Sequence, residues 1–291
     1  MALPFAGKHC VVVGATGVIG SSIAKAFAQQ GAVISLLGRS AVDIRSRLEP
    51  QLRPYGLPET DSATAAAQKD IPSAHRFIRL DASNREEIKT LFSPRASSKP
   101  QDGTAVGPID VLVNCAGISQ TTLLKRTPDE EISSIVDTNL LATILVCKHA
   151  KMRPNGMPST PCKVPMCSST QLITPTRFPG CIINVSSLMA TKGGLGASAY
   201  AASKAGVIGF TRALCREMAS RSIRVNALLP GWVNSSMWTD LKPEVQQAYL
   251  KDTPLNRVAD PEEVANAALF LASNGFANNC ILNLDGGLSA A

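Results

Sequence analysis

The chain has 291 residues, 45% of them hydrophobic and 4% aromatic, enough apolar material for a core of Ala, Val, Ile and Leu in one large α/β domain or two small ones. No apolar run approaches the ~20 residues that span a bilayer, and the start from Met1 to Gly7 has neither a signal-type core nor a transit-type Arg pattern; this excludes a membrane partner and leaves a soluble intracellular protein, cytoplasmic or in the mitochondrial matrix, as the expectation. The net charge of +7 is scattered and no aromatic-basic motif accompanies it, which argues against nucleic acid as a partner.

In chain order, residues 9–13 form a short β-branched run that reads as a buried strand. The turn Gly14-Ala15-Thr16-Gly17-Val18-Ile19-Gly20 follows, then a helical pattern over 21–30. Strand, glycine turn and helix together make a dinucleotide-binding start, because glycines let the backbone approach a pyrophosphate and the helix N-terminus favours its charge. A second strand over 32–37 ends at Gly38-Arg39-Ser40. An acidic residue there would bind a ribose 2′-hydroxyl; none is present, and Arg39 is suited to a 2′-phosphate, which favours NADP(H).

A helix is expected from 41 to about 52, and a third strand over 77–80 ending at Asp81-Ala82. A helix over 86–92 and a fourth strand over 109–113 lead to Asn114-Cys115-Ala116-Gly117. Thr127-Pro128-Asp129-Glu130 reads as a helix start with Thr127 as N-cap, and that helix runs to about 151 carrying Asn139. Irregular insertions are expected near 53–75, 93–108 and 152–179; the last joins a helix to a strand opposite the ligand edge and is not expected to be catalytic. A fifth strand, 181–185, leads through Ser187 and a Gly-rich loop into a helix to about 220 that carries Tyr200 and Lys204. A sixth strand, 223–228, precedes Pro230-Gly231, with Val233 and Ser235 beyond it; a helix near 243–251, a capped helix to about 272 and a strand over 280–284 complete the alternation. Alternation of this kind gives a single doubly wound, Rossmann-type parallel sheet with helices on both faces. Six of the eight cysteines fall in apolar segments, and the adjacent pair Cys162 and Cys167 has no His nearby; neither a metal site nor a disulfide framework is expected.

The chemistry concentrates between Ser187 and Lys204. Residues four apart share a helix face, so the Lys204 ammonium lies beside the Tyr200 phenol, where a positive charge favours the phenolate. A phenol tuned in this way exchanges a proton with a substrate oxygen that Ser187 also reaches.

These stretches resemble the short-chain dehydrogenase/reductase family across nearly the whole chain. The resemblance rests on the first glycine turn, Asn114-Cys-Ala-Gly117, Asn139, Ser187 with Tyr200-Ala-Ala-Ser-Lys204, and Pro230-Gly231. It implies a strand order of 3-2-1-4-5-6-7 in one NAD(P)-binding domain, and a homo- or hetero-tetramer. It also implies roles: Tyr200 as general acid, Ser187 positioning the carbonyl, Lys204 lowering the Tyr200 pKa and binding the nicotinamide ribose, and Asn139 holding a relay water. Gly14, Thr16, Gly17, Val18, Ile19, Gly20, Arg39, Ser40, Asp81, Ala82, Asn114, Ala116, Gly117, Pro230, Gly231, Val233 and Ser235 would line the cofactor. The nearest members in appearance are 3-oxoacyl-[acyl-carrier-protein] reductases and related carbonyl reductases, implying reduction of a small-molecule or acyl-carrier-bound ketone, with Arg177 and Arg221 as candidates for docking the carrier. A broad carbonyl, quinone or secondary-alcohol oxidoreductase is the alternative within that chemistry, and a non-catalytic cofactor-binding subunit the alternative outside it. Two departures stand out. The glycine spacing 14/17/20 is that of the family's extended subgroup, and Ala277-Asn278-Asn279 replaces the Thr-Gly before the last strand.

Overall fold

A computed structural model of the chain describes residues 3–56, 71–93, 105–153 and 180–290. Expectations placed on Cys162, Cys167, Arg177 and most of the three insertions lie outside the described residues.

Seven strands, β1 (His9–Val13), β2 (Val33–Gly38), β3 (Arg76–Arg79), β4 (Val111–Asn114), β5 (Gly180–Val185), β6 (Ile223–Pro230) and β7 (Ile281–Leu284), form one parallel sheet in the order β3-β2-β1-β4-β5-β6-β7. This is the order the resemblance implied. Alternate side chains of the central strands enter opposite faces, as the period of two requires. Val12, Ile34, Val113 and Ile183 pack with α1 (Val18–Gln29) on one face, while Val11, Val13, Leu112 and Ile182 pack on the other. Both faces are covered, which is why these strands read as continuous apolar runs.

Local chemistry explains where the elements depart from the sequence reading. The helix expected over 41–52 is reduced to α2 (Arg45–Leu48) and a 3₁₀ turn (Glu49–Gln51), because Pro50 has no N–H to bond back to Ser46. After α3 (Arg85–Phe92), α4 (Asp129–Val136) begins with Pro128, not Thr127, at its N-cap position. Thr127 Oγ1 donates back to the Leu123 carbonyl at 3.1 Å instead. A π-helical turn, Asp137–Leu141, then separates α4 from α5 (Ala142–His149), and Asn139 sits within it; such turns gather at functional sites. Beyond β5 come a short α6 (Met189–Lys192), the long α7 (Ser198–Met218), α8 (Ser236–Thr239), α9 (Pro243–Asp252) and α10 (Pro261–Ser273).

The cap expected for the last helix takes the form of a capping box in α10: the Glu263 carboxylate accepts from the Asp260 N–H at 2.8 Å. Its other end is closed by a side chain the sequence did not mark. Arg224 on β6 is buried, and its guanidinium donates to the carbonyls of Leu271, Ala272 and Ala277 at 2.6–2.8 Å. The Ala277-Asn278-Asn279 turn keeps its shape without glycine: Asn279 takes φ +57°, which Asn tolerates, and Asn278 Oδ1 accepts from the Val225 N–H at 3.0 Å.

His9 is fully buried at the N-terminal end of β1. Its Nδ1 donates to the Pro108 carbonyl at 2.7 Å and its Nε2 lies 2.8 Å from Ser35 Oγ. Burial pulls its pKa from 6.5 to about 4, against the partial opposition of the Pro108 bond and Asp110. The unfolded chain therefore binds the extra proton between those values. Stability from this residue is whole above pH 6.5 and is lost as pH falls towards 4, by about 3 kcal/mol in all. Urea unfolding at pH 7 and pH 5 is expected to show a fall that His9→Gln reduces; an equal fall in the variant would overturn this.

Candidate active site

The dinucleotide end of the site is built where the strand order reverses, between β1 and β4. Gly14 adopts φ +85°, and a Cβ there would lie 2.5 Å from the Ala116 nitrogen; a Cβ on Gly20 would collide with the Gly14 carbonyl. The turn therefore admits only glycine at these two points, and Gly14 comes up against the loop after β4. The N-cap of α1 is Gly17, with no capping side chain and no acidic residue in the first turn. Backbone amides without a competing carboxylate suit the pyrophosphate of a dinucleotide, so the residues present fit that group.

Around this cradle the predicted residues divide. Thr16 packs over Gly38, where a Cβ would lie 2.8 Å from its methyl group. Val18 is exposed and Ile19 packs partly into the core. Arg39 is exposed beyond β2, with Ser40 next to it. Asp81 accepts from Ser83 Oγ at 2.7 Å and from the Ser83 N–H at 3.0 Å; these bonds, with Arg39 and Arg79 adding positive potential, hold its carboxyl below the ordinary range. Ala82 packs against the core under it. Val233 is buried, so any contact it makes with a ligand is through its backbone, and Ser235 Oγ donates to the Val233 carbonyl at 3.0 Å. Gly231 follows Pro230 with its amide bonded to Leu284 and its α-carbon against Asp285.

Asn114 ends β4. Its amide nitrogen donates to Asn184 Oδ1 at 2.9 Å and reaches Cys147 Sγ at 3.2 Å, while Asn184 donates to Thr211 Oγ1 on α7 at 2.9 Å. These side chains are buried. Asn114 therefore clamps β4 to β5 and α7 from within the core.

The catalytic candidates converge at the C-terminal edge of β4 and β5. Ser187 follows β5; its hydroxyl accepts from the Met189 N–H at 3.2 Å and lies near enough to the Tyr200 phenol to favour its ionised form in part. Lys204 is 4% exposed; its Nζ donates to the Val185 carbonyl at 3.0 Å and lies 5.9 Å from the centre of the Tyr200 ring. Gly117 borders both Asn139 and Lys204: a Cβ there would sit 3.2 Å from Asn139 Oδ1 and 3.3 Å from Lys204 Nζ.

Asn139 is 1% exposed and both of its side-chain amide protons are engaged. Oδ1 accepts from the Ile118 N–H at 2.8 Å, and Nδ2 donates to the Ile118 carbonyl at 3.0 Å and to Ser203 Oγ at 3.1 Å. It braces the loop after β4 against α7.

The electrostatic balance also differs from the sequence expectation. Burial lifts the Tyr200 phenol above its ordinary value, and the Ser187 hydroxyl offsets only part of this. Lys204 does not pull it down, because the ammonium is turned to Val185 and is itself desolvated, its pKa falling from 10.5 to about 8. Tyr200 is therefore protonated at neutral pH, the form a proton donor needs. Arg221, proposed for docking an acidic carrier, lies beyond the far end of α7, a helix of 21 residues and so about 30 Å long. It stands beside the start of β6, at the edge opposite Tyr200.

A parallel sheet with a glycine cradle at its switch point and a Ser–Tyr–Lys cluster on the same edge defines an oxidoreductase of the dinucleotide-binding class. A family profile described as Enoyl-(Acyl carrier protein) reductase matches residues 14–289. Among relatives, 3-oxoacyl-[acyl-carrier-protein] reductase FabG of Chlamydia trachomatis is 35% identical over 288 residues, 97% of each chain. Carbonyl reductase family member 4 of Xenopus laevis is 34% identical, and 3-oxoacyl-[acyl-carrier-protein] reductase of Mus musculus 31%, each over 281 residues, 97% of this chain and 98% of the relative. The chain belongs to the short-chain dehydrogenase/reductase family, whose reductases use a nicotinamide cofactor. Among the described residues, no helix is long and apolar enough to cross a membrane and no cluster of three metal-ligating side chains occurs.

Proposed function

We propose that the protein reduces a ketone to a secondary alcohol with NADPH, and that its substrate is the 3-oxoacyl group of an acyl-carrier thioester in fatty acid synthesis. The observation that carries this reading is the half-buried Tyr200 phenol, standing with Ser187 and Lys204 on the edge where the glycine cradle lies and kept protonated by desolvation. A reduced nicotinamide held at this edge would supply the hydride for the carbonyl carbon. Tyr200 gives its proton to the carbonyl oxygen as charge develops there, and the Ser187 hydroxyl donates a hydrogen bond to the same oxygen. The Lys204 ammonium, beside Gly117, holds the nicotinamide ribose.

The names of the relatives support both a 3-oxoacyl thioester and a broader range of carbonyl compounds. Rates of NADPH oxidation with a 3-oxoacyl thioester, simple ketones, quinones, steroids and an enoyl thioester separate these readings. The 3-oxoacyl thioester is expected to give the highest kcat/KM; turnover with the enoyl thioester alone would overturn the proposal. The test of cofactor choice is Arg39→Asp. Losing a charge-assisted contact to a 2′-phosphate and adding repulsion costs about 1.5–3 kcal/mol, so kcat/KM for NADPH should fall ~10–100-fold while NADH gains. A native protein that prefers NADH would show that Arg39 has been misread.

A further inference from the structure

We infer that Gln120 is a positioning residue for the general acid, an inference that rests on the reductase reading above. The helix that carries Tyr200 begins without a cap of its own: Ala197 occupies the N-cap position and offers no side-chain oxygen. The amides that an N-cap side chain would ordinarily bind belong to the second and third residues of α7, Ala199 and Tyr200. Both are bound by Gln120 Oε1, which accepts from Ala199 at 2.8 Å and from Tyr200 at 3.2 Å across 79 and 80 residues of chain. The other end of the carboxamide is engaged as well, with Nε2 donating to the Thr122 carbonyl and to Thr127 Oγ1, each at 3.0 Å.

Gln120 is 5% exposed, and all its donors and acceptor sites are used. Because the two α7 partners are N–H donors, only this orientation of the amide satisfies the site. Two residues earlier, Ile118 is gripped in both directions by Asn139. The loop after β4 is thus fixed at two points, and the second point is the main-chain nitrogen of the residue that transfers the proton. The contact sets where the phenol begins its reach towards Ser187, and it places the negative end of a carboxamide dipole beside Tyr200.

Two variants of the full chain test this. Gln120→Leu removes the cap and both loop contacts. It is expected to lower kcat ~10–100-fold, the scale of a small misplacement of a reacting group, while the NADPH Kd from fluorescence titration stays within ~2-fold. Gln120→Glu keeps the acceptor but adds a negative charge next to Tyr200, which disfavours the phenolate. Its basic limb in the kcat–pH profile for reduction should move to higher pH by ~0.5 or more.

The inference is overturned if Gln120→Leu keeps kcat within ~2-fold, if it loses cofactor affinity in step with kcat, or if the Gln120→Glu limb stays in place. These failures differ from failure of the underlying reading, which would appear as a wild-type protein inactive on every ketone.

Discussion

Tyr200→Phe is expected to lower kcat for ketone reduction by at least ~10²–10⁴-fold while leaving the NADPH Kd nearly unchanged. The change removes one oxygen. The ring stays in place, the Lys204 ammonium keeps its bond to the Val185 carbonyl, and the glycine cradle is untouched. What is lost is the proton that must reach the carbonyl oxygen. The same phenol sets the pH dependence. Burial holds its pKa above the ordinary value, so reduction should be level from weakly acidic to neutral pH and decline only in alkaline solution. Oxidation of the alcohol needs the phenolate and should rise over that alkaline range. Steady-state rates in both directions, with a fluorescence titration of cofactor binding, check all of this; normal turnover by the variant would end the proposal that Tyr200 is the acid.

Lys204→Met should separate activity from stability. The ammonium is buried, and its pKa of about 8 lies below the ordinary 10.5 because burial penalises the charge. By that difference the charged form costs the folded protein about 3 kcal/mol at neutral pH. The penalty is whole below pH 8 and fades as pH rises from 8 towards 10.5, since the unfolded chain holds the proton longer. Met fills similar volume without the charge, but leaves the Val185 carbonyl without its donor. Net stability at pH 7 is therefore expected to stay level or rise by up to about 3 kcal/mol, with a smaller gain at pH 9.5. Activity should go the other way, with cofactor affinity falling ~10–100-fold for loss of a charged contact and turnover falling with it. Urea midpoints and cofactor titrations decide the case. A variant that is both destabilised and fully active would contradict the assignment of Lys204 to function at the expense of stability.

The expense is placed where the fold can bear it. Lys204 sits on a long helix whose neighbouring turns bury Ala199, Val207, Ile208 and Leu214, and whose backbone is pinned by Ser186 Oγ at the Lys204 carbonyl, 2.7 Å away. Ser203, one residue earlier, accepts from Asn139 and donates to the Tyr200 carbonyl at 2.7 Å. A charge that weakens the folded state is thus held by hydrogen bonds on both sides of its Cα.

Much of this was legible in the sequence, and for a common reason. The continuous apolar runs in His9–Val13 and Gly180–Val185, the glycine turn at 14–20, the i,i+4 spacing of Tyr200 and Lys204, and the cap at Asp260 are signals between near neighbours. Such signals fix each element's type and the face it buries, and the regular alternation of strand and helix then fixes the parallel sheet. The structure decided what depends on partners far apart in the chain. Gln120 meets Tyr200 across 80 residues, Arg224 closes α10 across 47 and 48, and Asn114 turns inward because Asn184 lies on the neighbouring strand. Nor does spacing alone set a charge state. The i,i+4 pair placed Lys204 beside Tyr200, but the folded protein determined that burial outweighs their attraction, leaving the phenol protonated and the ammonium weakened, because desolvation depends on everything packed around a group and not on its neighbours in sequence.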